Sequence, residues 1–172
     1  MRYEFGKNWS DFITSNFDES KAETAYQHML SLLGKTSLEN LSFIDVGCGS
    51  GIHSLAAIRA GAKSVTSFDF DQHSVEATSS LRTLAGAPKN WQVSQGSVLD
   101  SNFIDTLGKF DVVYSWGVLH HTGEMWNAIS SASKLLDDNG IFYIALYATE
   151  VFVNPTPSYW MKVKKRYNQA NR

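Results

Sequence analysis

Apolar positions along this chain follow two alternating rhythms. From Leu41 to Val46, Ser64 to Phe68, Trp91 to Gln95, Phe110 to Ser115 and Ile141 to Tyr147 the runs are short, rich in β-branched and aromatic residues and bounded by turn formers, which predicts strands. Between them Ile52 to Ala60, Gln72 to Ala85, Phe103 to Leu107 and Glu124 to Leu136 read as helices, with Gly61, and Gly86 and Pro88, as stop signals after the first two. Upstream, Asp11 to Asn16 and Glu19 to Leu33 read as helical, with Tyr26, Met29, Leu30 and Leu33 on one face and Gly34-Lys35 as the stop. Asp138-Asn139-Gly140 reads as a turn before the last strand, which is apolar on both faces. Strands alternating with helices imply right-handed crossovers and a doubly wound, mostly parallel α/β sheet with helices on both faces. One domain is expected, with a helical lead-in over 1–40, an α/β core over 41–150 and a tail over 151–172. That tail carries Pro155 and Pro157 and a basic, helical piece with Tyr159, Trp160, Lys162, Lys164, Lys165 and Arg166.

Composition changes this picture little. The chain has 172 residues, 43% hydrophobic and 19% charged, as for an ordinary soluble domain. A net charge of -2 gives no overall pull toward nucleic acid or an anionic membrane, and neither is expected as a partner. No apolar run is long enough to span a bilayer and the N-terminus lacks a signal-peptide layout. With Cys48 the single cysteine, no internal disulfide is expected, which fits a cytoplasmic location.

The chemistry concentrates where the first predicted strand ends, at Phe43-Ile44-Asp45-Val46-Gly47-Cys48-Gly49-Ser50-Gly51. A buried strand closes on an acid, alternating glycines follow, and a helix begins at once. Side chains at Gly47, Gly49 and Gly51 would block a ligand from the backbone or resist the turn's φ angles. The second strand closes on Asp69, about 20 residues beyond the glycines, where an acid can accept from both hydroxyls of a ribose. The loop reads G-x-G-x-G, with Ile52 next, and not the G-x-G-x-x-G of dinucleotide sites. Asp45 beside the helix N-terminus repels a pyrophosphate and suits a ligand bearing an ammonium or sulfonium. S-adenosylmethionine is therefore favoured over a nicotinamide dinucleotide.

These residues resemble a known family. Phe43 to Gly51 is similar to motif I of the class I S-adenosylmethionine-dependent methyltransferases, Ser67-Phe68-Asp69-Phe70-Asp71 to motif II, and Gly96-Ser97-Val98 to the adenine-binding loop. The stretch from Phe110 to His121 resembles motif IV. Phe5-Gly6-Lys7-Asn8-Trp9 resembles, less diagnostically, the lead-in of a bacterial branch. The resemblance implies a Rossmann-like fold and a cofactor-binding core. It places the methionine part against Gly47, Cys48, Gly49 and Gly51, the ammonium near Asp45, and the ribose on Asp69. Phe70 and Val98 would cover the two faces of the adenine. Ser97 stands where the family often has an acid, and its hydroxyl and local backbone would replace it. Backbone carbonyls of Ser115 and Trp116 would lie near the ammonium.

Other polar residues weigh less. Cys48 reads as a small loop filler, His53 as a surface or capping residue, and Asp71 and His73 as a helix cap and an exposed side chain. His120-His121 follows a strand end. Adjacent side chains diverge, so the pair does not hold a metal unaided, and no Cys/His cluster completes a site. If one of them is a general base, His120, nearer the strand end, is expected to act on the acceptor. Methyl transfer from a sulfonium is an in-line displacement whose leaving group departs as a neutral thioether, so alignment is the main task and no catalytic side chain is obligatory.

The family's sheet continues past the fifth strand with an antiparallel pair. Here the tail is too short to supply it, so the fifth strand is expected at a sheet edge, covered by the tail, by a second copy, or by a missing C-terminal segment. The sequence thus predicts a methyltransferase acting on a small-molecule or biosynthetic-intermediate acceptor. A cofactor-binding module without turnover of its own is the alternative, and an oxidoreductase using a nicotinamide dinucleotide comes third.

Overall fold

A computed structural model of the protein describes residues 8–9, 13, 15–147 and 155–170. The lead-in up to Lys7, half of the helix expected over Asp11 to Asn16, and the start of the tail up to Asn154 lie outside the described residues.

Helix α1 (Glu19–Leu33) buries Ala22, Met29, Leu30 and Leu33 along one stripe. Asp18 caps it by accepting the Lys21 N–H at 3.0 Å, and Gly34 ends it in the left-handed region. Then come β1 (Ser42–Val46), α2 (Ile52–Arg59), β2 (Ser64–Asp69), α3 (Gln72–Leu84), β3 (Trp91–Gln95), α4 (Ser101–Leu107), β4 (Phe110–Trp116), a 3₁₀ turn (Leu119–His121), α5 (Met125–Ser133), β5 (Leu136–Ala145) and α6 (Pro157–Ala170). The strands form one sheet in the order β3-β2-β1-β4-β5, and every ladder is parallel. The expected doubly wound sheet is present. Among the described residues no antiparallel strand follows β5, which stands at the edge as expected.

Strand alternation sends side chains to two cores. Phe43, Val65, Trp91, Val112 and Tyr114 face the layer that holds α1, α2 and α3. Ile44, Val46, Phe68 and Val113 face α4 and α5 through Ile104, Ala128, Ala132 and Leu135. At the N-terminal ends of the strands, Asp111 accepts from the Ser42 N–H at 2.8 Å and the Ser42 hydroxyl at 2.7 Å, clamping β4 to β1. These bonds hold the Asp111 carboxyl below its usual range.

Several element ends shift by one or two residues, and two boundaries differ more from the sequence expectation. The last helix of the core stops at Ser133, because Leu135 is drawn into the second core and its carbonyl accepts the Phe110 N–H at 2.8 Å. The expected turn at Asp138-Asn139-Gly140 lies inside β5 as a bulge: Leu136 pairs with Phe110 and Ile141 with Val112, so the chain loops out between them. Gly140 passes so close that a Cβ would stand 2.9 Å from the Asp111 carbonyl oxygen.

Candidate functional site

β1 and β4 are neighbours although the chain leaves β1 on one side and reaches β4 from the other. Their C-terminal ends therefore open a crevice at the point where strand order reverses. A cleft of about 990 Å³ lies there, walled by the glycine loop, the tips of β1, β2 and β4, the Gly96–Val98 loop, Trp9 and Tyr147.

The floor of the cleft is the loop leaving β1. Its Gly47 and Cys48 N–H groups donate to the Phe68 carbonyl at 2.9 and 3.1 Å, which ties it to β2. Gly47 has φ +79°, and a Cβ there would overlap Val118 Cγ1. Gly51, also at +79°, begins α2, and a Cβ would stand 2.8 Å from Thr78 Cγ2. Glycine is thus required by both conformation and contact. Thr78 on α3 donates to the Gly49 carbonyl at 3.0 Å and to Cys48 Sγ at 3.3 Å, holding the loop from below. Burial pushes the Cys48 thiol well above its ordinary pKa, with Asp45 and Asp69 adding to the effect, so this is an inert filler.

Two acids flank the loop. Asp69 Oδ2 accepts the Gly49 N–H and Oδ1 the Asp71 N–H, both at 3.0 Å. Burial raises its pKa while those bonds pull the other way. Asp45, 3% exposed, is pushed up to about 7 by burial, against the bond it accepts from Ser54 at 2.6 Å. Asp45, Asp69 and Asp71 line the cleft, and no Lys or Arg does among the described residues.

The other expected residues divide. Phe70, 51% exposed, lines the cleft, as do Val98 and Trp116. Ser97 does not; its hydroxyl accepts the Leu99 N–H at 3.2 Å and stabilises its own loop. Ser115 is fully buried and donates to the Val46 carbonyl at 2.9 Å, so it joins β4 to β1 behind the wall. His120 is displaced as well. The 3₁₀ turn drives Leu119 into the core, leaves both His120 ring nitrogens buried without a hydrogen-bond partner, and puts His121 on the cleft. His120 packs between His121, 4.0 Å away by ring centroids, and Tyr147, 4.6 Å away.

His53 is not the surface residue expected. It lines the cleft beside Tyr114 and Trp116, at 5.0 and 5.7 Å, and burial lowers its pKa to about 4, so it is neutral at pH 7. Its position at the start of the helix after the glycine loop is the signal that marks it. Trp9 lies over Gly49, and Tyr147 lies over Gly117, where a Cβ would meet its hydroxyl at 2.7 Å. The sequence pattern carries no signal that marks either residue as a wall of the cleft. Among the described residues no His, Cys, Asp or Glu group has the form of a metal site, and no helix is long and apolar enough to cross a membrane.

The residues present fit an adenosyl group linked to a cationic amino acid. Glycines leave room along the loop backbone, one acid stands at each of the β1 and β2 tips, Phe70 offers a partly exposed ring, and among the described residues no Lys or Arg lines the cleft to neutralise a pyrophosphate.

A family described as "Methyltransferase domain" matches residues 37–170. Over 108 residues the chain is 32% identical to a ubiquinone biosynthesis O-methyltransferase of Pelagibacter ubique, covering 63% of this chain and 42% of that protein. Over 130 residues it is 33% identical to a ribosomal protein L11 methyltransferase of Acinetobacter baumannii, covering 76% of this chain and 42% of that protein. The chain thus spans well under half the length of these curated relatives. Among solved structures, a putative S-adenosyl-L-methionine-dependent methyltransferase of Methanococcus maripaludis superposes with a TM-score of 0.67 at 19% identity, covering 96% of this chain and 77% of that one.

Proposed function

Since the chain belongs to the class I S-adenosylmethionine-dependent methyltransferases, we propose that its cleft binds S-adenosylmethionine and directs methyl transfer to a neutral small-molecule acceptor. The observation that carries this reading is the charge of the cleft wall: Asp45, Asp69 and Asp71 line it, and among the described residues no Lys or Arg does. Such a wall stabilises a cation and repels a pyrophosphate. The cofactor, when bound, supplies a methyl group on a sulfonium.

Every other part of the task falls to the chain. Asp69, already fixed by the Gly49 and Asp71 N–H groups, accepts the ribose hydroxyls. Asp45 faces the ammonium, and Phe70 and Val98 enclose the adenine. Trp116, His121 and Tyr147 form the opposite wall, where an acceptor is held and water excluded. Orientation of this kind is worth several kcal/mol of barrier, so the protein needs no nucleophile. His121 replaces His120 as the base for an acceptor hydroxyl or amine. The relatives named above differ in acceptor by their own names, so the acceptor class rests on this wall.

Calorimetric titration with S-adenosylmethionine, S-adenosylhomocysteine and a nicotinamide dinucleotide tests the binding half. Tight binding of the first two and none of the third is expected; the reverse overturns the reading. Release of S-adenosylhomocysteine with a panel of phenols, amines and acids tests turnover. Binding without turnover on any acceptor would favour a cofactor-binding module.

A further inference from the structure

The register aligns Ser67 of β2, Asp45 of β1, Tyr114 of β4 and Tyr143 of β5 in one row across the sheet, beneath α2. From Trp91 of β3, through this row and the helix above it, runs an unbroken hydrogen-bonded chain. The Trp91 indole N–H donates to Ser67 Oγ at 2.8 Å, Ser67 Oγ and Ser54 Oγ are 2.7 Å apart, and Ser54 Oγ donates to Asp45 Oδ2 at 2.6 Å. Trp91, Ser67 and Ser54 are fully buried and Asp45 nearly so. A run of polar groups in an apolar layer is costly unless each finds a partner; Trp91, Ser67, Ser54 and Asp45 each do, whereas the buried Tyr114 hydroxyl of the same row has none among the described residues.

The chain has a preferred direction. An indole N–H only donates, so it occupies an acceptor position on Ser67. The Ser67 proton is then best placed on Ser54, and the Ser54 proton on Asp45 Oδ2, where an ionised carboxylate accepts more strongly than the carbonyl oxygen of a protonated acid. With the proton on Asp45 Oδ2 the order reverses. Asp45 donates to Ser54 and Ser54 to Ser67, and Ser67 then accepts twice while its own proton loses the Ser54 acceptor. We propose that Trp91, Ser67 and Ser54 are positioning residues that hold Asp45 as a carboxylate at neutral pH, and that this relay makes the cleft selective for the ammonium of its cofactor. The inference rests on the reading of the cleft as an S-adenosylmethionine site.

Burial alone opposes that state, since it raises the Asp45 pKa to about 7 even with the Ser54 bond in place. The titratable groups around Asp45 give no help. Asp69 at the β2 tip repels a second negative charge, and Cys48 in the loop and Tyr114 on β4 are held neutral by their own burial. His53, the other titratable group of α2 on the cleft, is neutral above about pH 4. The relay is therefore the neutral machinery that keeps the charge.

Two measurements test this. An NMR titration of the Asp45 carboxyl carbon in the cofactor-free protein reads the ionisation directly. Ser67→Ala ends the relay at Ser54, and Trp91→Phe keeps the ring and removes the donor. Each should raise the midpoint, Ser67→Ala by about one pH unit and Trp91→Phe by less. The double variant should match Ser67→Ala, since both changes cut one chain. Calorimetry with S-adenosylhomocysteine, which retains the ammonium, from about pH 6 to about pH 8 should show the same upward shift in the pH at which binding is half lost, brackets chosen around the folded pKa. A midpoint unmoved in both variants overturns the relay, as does an additive double variant. If the carboxyl shifts as expected while wild-type protein binds neither adenosyl ligand, the cofactor reading falls and with it the selectivity claim, while the ionisation device stands. Circular dichroism and a thermal melt verify folding, and Trp91→Phe provides the conservative variant should Ser67→Ala unfold.

Discussion

Replacing Asp69 by Asn offers the sharpest test of how the cleft grips a nucleoside. The carboxylate holds two backbone donors, the Gly49 N–H on Oδ2 and the Asp71 N–H on Oδ1, each at 3.0 Å. An amide of the same shape keeps one acceptor oxygen and turns an NH₂ toward the other N–H. One backbone donor then loses its partner, and one ribose hydroxyl loses a charged acceptor. A hydrogen bond to a charged group is worth about 1.5–3 kcal/mol, so with weakening of the remaining bond the affinity for S-adenosylhomocysteine should fall by about thirtyfold to a thousandfold. Loop damage and lost ribose contact are separated by a second ligand, an analogue lacking both ribose hydroxyls. It should lose at least about tenfold less than the parent on going from wild type to Asp69→Asn, because the coupling between side chain and hydroxyls is absent. Isothermal titration of both ligands into both proteins closes the cycle. An equal loss for the two ligands would mean that Asp69 only braces the loop and never touches the sugar.

Further expectations follow from single features. Gly34 has φ +63° with nothing within 4 Å of a Cβ, so Gly34→Ala should cost about 1 kcal/mol in urea denaturation, the conformational penalty alone. Gly47→Ala adds the overlap with Val118 and should cost about 1–3 kcal/mol more; equal costs would refute the crowding at the loop. His53 has its pKa depressed from 6.5 to about 4, so its contribution to stability is present above 6.5 and lost as pH falls toward 4. His53→Leu should flatten the stability profile in that window, and an unchanged acid slope from chemical denaturation counts against its burial. The Cys48 thiol should react with a disulfide reagent only at the rate of unfolding, and fast labelling of native protein would contradict its burial.

Legibility in the sequence followed punctuation. Where Gly, Asp or Pro marked a boundary, the pattern sufficed: α1 and β3 begin and end where the spacing placed them. Where the rhythm ran on, it misled. Ala128, Ala132, Leu135 and Leu136 keep a helical period, and only the Phe110–Leu135 hydrogen bond reveals that the chain has already turned toward the sheet. The polar Asp137-Asp138-Asn139 hid the start of β5, because a bulge and a turn share one composition. Asp45 and Asp69 were visible because a strand-terminal acid has a distinctive context. Ser54 and Ser67 were not, since small hydroxyls carry no period and their bonds join elements that are distant in sequence. His120 and His121 were separable only through the 3₁₀ turn, where each residue rotates the chain by about a third of a circle.

The placement of β1 at the centre of the sheet has a temporal side. Its partner β2 is made soon after it, but the other flank is filled by β4, whose Ser115 and Asp111 reach back 69 residues to Val46 and Ser42. A ribosome releases the chain from one end, so the glycine loop, Asp69 and the Gly96–Val98 turn emerge before the strand that bears Trp116 and the wall of His121 and Tyr147. Until β4 arrives, β1 presents one bare ladder of amides and carbonyls, the point at which a nascent chain of this topology is most exposed to mispairing.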